Sequence, residues 1–200
     1  VRARRSILVL GSLVLAGSPI LVPTAAGAAP PTCDGHAVTI NLNEPMSPGG
    51  SPAAEGGDPI HYHGTSGPDV ILGTSNGEII DGLGGNDRIC AGIGLDVVNG
   101  GPGQDRLFGG SNDDRLRQNG GGGLLAGGNG ADTLRGGSGN DTLRGGRDSD
   151  TLLGLLGNDA LDGGTGVSII LDPPDTSSDN CNGGPGHDTQ LRCETSSNFP

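Results

Sequence analysis

From Gly64 to Leu171, apolar and polar positions recur with a period of nine residues, twelve times in succession and without an insertion. Phased at Gly64, the units read GTSGPDVIL, GTSNGEIID and GLGGNDRIC. Further on come GGNGADTLR, GGSGNDTLR and GLLGNDALD. The eighth position is apolar in every unit: Ile71, Ile80, Ile89, Val98, Leu107, Leu116, Leu125, Leu134, Leu143, Leu152, Leu161 and Ile170. One inward side chain between polar neighbours suits a very short strand, because successive side chains point to opposite faces. Each unit therefore predicts one strand and one turn, and the run predicts an all-β repeat structure.

Three more columns describe the turn. The first position is glycine in ten of twelve units, failing at Ala91 and Gln118; glycines here are expected to supply positive φ. The fourth is glycine except at Asn76, Asn112 and Asp148, the side-chain types that best tolerate the left-handed region. The sixth is acidic in ten units: Asp69, Glu78, Asp87, Asp96, Asp105, Asp114, Asp132, Asp141, Asp150 and Asp159. Gly123 and Ser168 are its two exceptions.

The pattern G-G-x-G-x-D-x-U-x resembles the RTX (hemolysin-type) calcium-binding nonapeptide repeat, over about half of the chain. That resemblance implies a right-handed parallel β-roll of about six coils. Two nonapeptides make one coil, successive turns alternate sides, and calcium lies between turns of the same side, held by aspartates and turn carbonyls. Acids eighteen residues apart then become neighbours. One side pairs Asp69 with Asp87, Asp87 with Asp105, and Asp141 with Asp159; the other pairs Asp96 with Asp114, Asp114 with Asp132, and Asp132 with Asp150. Glu78 with Asp96 is a weaker seventh pair, since the longer side chain alters the reach. The expectation is about six calcium sites, in one continuous row and one row broken at Gly123. The faulty unit, QNGGGGLLA, keeps Leu125 and should let the coil pass without metal.

Calcium suits these residues because it takes six to eight oxygen ligands in flexible geometry. Zinc and copper favour His or Cys, which do not occur in these turns. His61 and His63 fall on one side of an extended stretch and read as a polar edge before the first coil, for want of a third ligand nearby.

Composition sharpens this picture. Forty-two glycines, two phenylalanines, one tyrosine and no tryptophan exclude an aromatic core. Eleven arginines, no lysine and 23 acids give a net charge of −12, which disfavours nucleic acid and anionic membranes and favours cations. The arginines at 88, 106, 115, 117, 135 and 144 occupy the seventh and ninth columns and should face water.

Residues 1–28 read as a secretory signal: Arg2, Arg4 and Arg5, an apolar stretch, then the small residues Ala26-Gly27-Ala28. Removing them leaves a net charge of −15. The location expected is extracellular. Residues 29–63 should form an amino-terminal cap, Cys33 to Leu42, and a Pro/Gly-rich loop; residues 64–171 the roll; and residues 172–200 a carboxy-terminal cap with one degenerate repeat, whose polar Gln190 should not continue the core. An exported chain with Cys33, Cys90, Cys181 and Cys193 reads as disulfide-bonded. Of three pairings, Cys33–Cys90 as a long staple and Cys181–Cys193 as a local clasp are favoured.

The functional expectation is a secreted calcium-binding protein, not an enzyme, with a structural or interaction role and an envelope or glycan partner still to be identified. The alternative is a calcium-dependent accessory of a secreted hydrolase or cytolysin. It is disfavoured because no H-E-x-x-H zinc helix, serine nucleophile elbow, lysine-bearing phosphate loop or membrane-inserting domain is read after the signal. The layout is similar to small secreted repeat proteins of actinobacteria.

Overall fold

The computed structural model describes residues 32–41, 61–171, 179–184, 189–191 and 195–197. Among these there is no helix, and the chain winds through two parallel sheets. The eight-stranded sheet runs from His61–His63 to Thr189–Leu191, the nine-stranded sheet from Ile40–Asn41 to Thr195–Ser197. Within the repeat, consecutive strands fall in opposite sheets, and each pairs with strands one coil away. Leu116 aligns with Val98 and Leu134; Leu125 aligns with Leu107 and Leu143. The register is therefore eighteen residues per coil.

Between the sheets lies one column of side chains from each. All twelve eighth-position residues are buried, from Ile71 to Ile170. Such a core is thin, and each inward Leu or Ile contributes roughly 1.5–3 kcal/mol. Several strands run on to six residues, as at Arg106–Ser111 and Thr142–Arg147, because the first column also points inward. Ala91 is fully buried there beside the glycines.

That corrects the expected role of the first-column glycine. Positive φ occurs instead at the second and fourth positions, for example Gly101 (98°) and Gly103 (148°), and at Asn112 (79°) and Asp148 (75°). What limits the first column is space, although it admits the methyl of Ala91. A Cβ on Gly82 would come within 2.5 Å of Asp87 Oδ2 and 2.6 Å of Gly100 O in the next coil. Leu83 and Leu155 take the second-position positive φ without being glycine, at 74° and 88°, a conformation that costs a bulky residue energy.

Both ends are wound further than the repeat phase implied. His61–His63 is the edge strand of the eight-stranded sheet, with both histidines exposed as expected, but it is paired with Ile79–Asp81 and Tyr62 packs partly against the core. At the other end the ladder continues through Asn180–Asn182, with Cys181 aligned to Leu161 and buried in the core column. It also continues through Thr189–Leu191, where the backbone of Gln190 aligns with Ile170. Backbone pairing does not require an apolar side chain at the aligned position, so the ladder outlasts the sequence pattern.

The Cys33–Cys90 disulfide is present. Cys90 is a ninth-position residue on the outer face, so the segment it holds clamps that face. Thr32–Cys33 and His36–Ala37 form a small antiparallel hairpin. Asp34 at its tip forms ion pairs with Arg88 (3.5 Å) and Arg106 (2.9 Å). These two arginines are thus partly covered, whereas Arg115, Arg117, Arg135 and Arg144 are exposed as expected. Among the described residues of the expected cap, Ile40 is buried and paired beside Ile71 at the end of the nine-stranded sheet. Cys181 is also in a disulfide; Cys193, its expected partner, lies outside the described residues, as do the signal at 1–28 and the loop from Glu44 to Pro59.

Candidate metal centre

Winding at eighteen residues per coil stacks the acids in two rows. On one side Asp69 N–H donates to Asp87 Oδ1 (2.9 Å) and Asp87 N–H to Asp105 Oδ1 (2.9 Å). The row resumes where Gly123 N–H donates to Asp141 Oδ1 (2.7 Å) and Asp141 N–H to Asp159 Oδ1 (2.8 Å). On the other side Glu78, Asp96, Asp114 and Asp132 each donate an N–H to the acid of the next coil, at 2.8–2.9 Å, ending at Asp150. Asp150 N–H then donates to Ser168 Oγ at 3.4 Å. All ten acids are buried.

One carboxylate oxygen of each acid from Asp87 to Asp159 thus serves the ladder; the other is the informative one. The Oδ2 atoms of Asp87, Asp96, Asp114, Asp132, Asp141 and Asp150 are buried and accept no hydrogen bond among the described residues. A buried acceptor without a donor is costly, and more so if charged. Turn carbonyls crowd the same spaces: points beside Gly82 and Gly136 are approached by Asp87 Oδ2 with Gly100 O, and by Asp141 Oδ2 with Gly154 O, all within 2.5–2.6 Å. The donor set is therefore carboxylate and carbonyl oxygen, which fits calcium. Among the described residues no three His, Cys, Asp or Glu side chains come together; the carboxylates meet in successive pairs along each row.

Two expected ligands differ. Asp69 Oδ2 accepts from Thr65 N–H (2.6 Å) and Thr65 Oγ1 (2.9 Å). Glu78 accepts from the hydroxyl and the N–H of Thr74. In both, a second-position threonine closes the turn on its own acid. One residue went unnoticed in the sequence: Asp179 is buried and accepts the Asp159 N–H at 2.9 Å, extending the first row. Its spacing is twenty rather than eighteen. The signal that would have found it is Asp179-Asn180-Cys181-Asn182-Gly183-Gly184, which restores the D-x-U-x-G-G order after a two-residue insertion.

Burial pushes these carboxyls up, opposed by the ladder N–H bonds and reinforced by neighbouring acids. Asp87 and Asp132 rise to about 6, and Asp114, Asp141 and Asp150 to about 7. Asp96 and Asp105 shift the same way, burial again being the main cause. In the metal-free roll each group therefore holds its proton more tightly than in the unfolded chain. The resulting stabilisation is complete below the ordinary carboxylate range and is lost as pH rises through 6 to 7. In excess chelator, β-sheet circular dichroism is expected to be stronger at roughly pH 5 than at roughly pH 8.5. With calcium the dependence reverses, since protons compete for the same oxygens, and half-saturation should need more metal at the lower pH. A pH-independent signal in chelator would contradict the burial of these groups.

The letters Gly73-Thr74-Ser75-Asn76-Gly77 do spell G-x-S-x-G. They form a repeat turn between strands Val70–Leu72 and Ile79–Asp81, whereas the serine elbow requires a turn from strand to helix.

Two parallel sheets, wound coil on coil with buried acids stacked along both edges, define a metal-binding β-roll. The model of the RTX calcium-binding nonapeptide repeat matches residues 63–97, 81–116, 91–124, 118–152, 126–161 and 136–170. These matches span more than half of the sequence, and the chain belongs to that family. No curated protein matches it.

Proposed function

We propose that this chain is a secreted calcium-binding protein whose roll folds around ions held between turns of the same side. The carrying observation is the set of buried Oδ2 atoms in stacked turns that receive no donor. Calcium would supply the positive charge that compensates them. The ligands proposed are Asp87, Asp96, Asp105, Asp114, Asp132, Asp141, Asp150 and Asp159 with neighbouring turn carbonyls, giving about six sites. Asp69 and Glu78 end the rows as weaker contributors because Thr65 and Thr74 already serve them. Asp179 is a further contributor beside Asp159.

In this reading residues 1–28 are the export leader and residues 64–171 the metal-dependent body, flanked by capping segments at 29–63 and 172–200. The role is structural or interactive, outside the cell, and non-catalytic. Cys33–Cys90 suits that compartment, since disulfides persist where the medium is oxidising. Equilibrium dialysis of the mature chain at millimolar calcium should find about six ions per chain. Uptake of none would overturn the proposal. Capture of envelope components with and without calcium would identify the partner.

A further inference from the structure

The seventh turn, Gln118 to Gly123, lacks both the first-column glycine and the sixth-column acid, and the two departures are physically linked. In regular turns these columns compete for one space: a Cβ on Gly64 would lie 2.8 Å from Asp69 Oδ2, and one on Gly136 would lie 2.6 Å from Asp141 Oδ2. Beside a retained acid the first column holds at most the single methyl of Ala91, next to Asp96; a longer side chain needs the room that the acid would take. Here the acid is replaced by Gly123, and Gln118 fills the vacated room. A Cβ on Gly123 would lie 3.1 Å from Gln118 Cδ and 3.2 Å from Cγ.

The glutamine is 1% exposed. Its Nε2 donates to Gly103 O at 2.7 Å and to Gly120 O at 2.9 Å. Those carbonyls belong to turns 100–105 and 118–123, successive turns of one side. The amide orientation follows from them, since the reversed group would set an oxygen against two carbonyl oxygens. Its Oε1 shares the space beside Gly100 with Asp105 Oδ2. Like the Oδ2 atoms of Asp87, Asp96, Asp114, Asp132, Asp141 and Asp150, this Oε1 accepts no hydrogen bond among the described residues; it is the two Nε2 bonds that set this turn apart.

We propose that the Gln118 amide is a built-in substitute for one calcium ion, tying the turn carbonyls of two coils together with N–H bonds and making this one junction independent of metal. The inference rests on the calcium reading above and deepens it. It divides the first row into two calcium-dependent segments joined by a permanent link. The competing role for Gln118 is that of a ligand using Oε1 beside Asp105.

The test compares the full chain with Gln118→Gly, Gln118→Met and the double variant Gln118→Gly/Gly123→Asp, all saturated with calcium. Two readouts are taken: bound ions by equilibrium dialysis, and amide exchange by mass spectrometry across residues 100–123. Gln118→Gly and Gln118→Met should bind as many ions as the parent but exchange roughly ten-fold faster in these turns, two hydrogen bonds having been lost. The methionine keeps the bulk, so packing loss alone cannot produce its change. The double variant, with glycine and acid restored to their columns, should take up at least one additional ion. Loss of an ion in Gln118→Gly, parental exchange in Gln118→Met, or no gain in the double variant overturns the proposal. A parent chain that takes up no calcium defeats the calcium reading itself, and the two failures are thus distinguishable.

Discussion

Chelating calcium from the purified chain at neutral pH is expected to abolish most of its β-sheet circular dichroism, and returning the ion should restore it. The reason is a balance of magnitudes. Neighbouring carboxylates stand one strand spacing apart, ~4.8 Å. Two charges at that distance repel by about 3–4 kcal/mol at an effective dielectric constant of about 20. One inward Leu or Ile yields roughly 1.5–3 kcal/mol, so a single-file core cannot also bear the repulsion and the ordering entropy of a glycine-rich backbone. Protons relieve the charge only below the raised carboxyl values of about 6 to 7. At neutral pH a cation must do so, and binding and folding become one equilibrium. The midpoint is expected at about 10⁻⁴–10⁻³ M calcium, as for extracellular modules. A full β spectrum in excess chelator at neutral pH would show the roll standing on its core alone.

The second large effect is expected from Leu134→Ala. Leu134 is fully buried mid-roll and aligned with Leu116 and Leu152 one coil to either side. Truncating a buried leucine costs about 2–5 kcal/mol. In a solenoid each coil leans only on its neighbours, so no distant packing compensates. A loss of about 3 kcal/mol should lower the melting temperature in saturating calcium by about 10–20 °C. If some six ions bind as a unit, that energy is shared among them, and the calcium midpoint should rise only about two-fold. Thr133→Ala, on the exposed outer face next door, should change neither. Equal effects from the two variants would mean that the eighth column is not the core.

Much of this was legible because one physical requirement repeats. An inward apolar residue every nine positions fixed the register, and every member of that column is buried. The spacing of the acids likewise foretold which carboxylates become neighbours. What escaped notice depends on contacts between columns or on breaks in phase. The first-column glycine looked like a turn residue, yet its demand is space beside the aspartate of its own turn. Asp179 was hidden by an insertion that shifts it by two residues, although the backbone ladder absorbs the shift. Nothing in the repeat columns marks Thr65 and Thr74, and the structure shows them bonded to Asp69 and Glu78. Asp34 reaching Arg88 and Arg106 is a long-range meeting for which a local pattern holds no sign.

The Cys33–Cys90 bond spans 57 residues and ties the amino-terminal hairpin to the third nonapeptide. A covalent knot there survives the withdrawal of metal, so the slack chain keeps one lasso drawn tight at its leading end. That closure spares about 4 kcal/mol of loop entropy for the first coils. The first coils are accordingly expected to rewind from beside the lasso, like thread taken up on a spool whose first wrap was never undone.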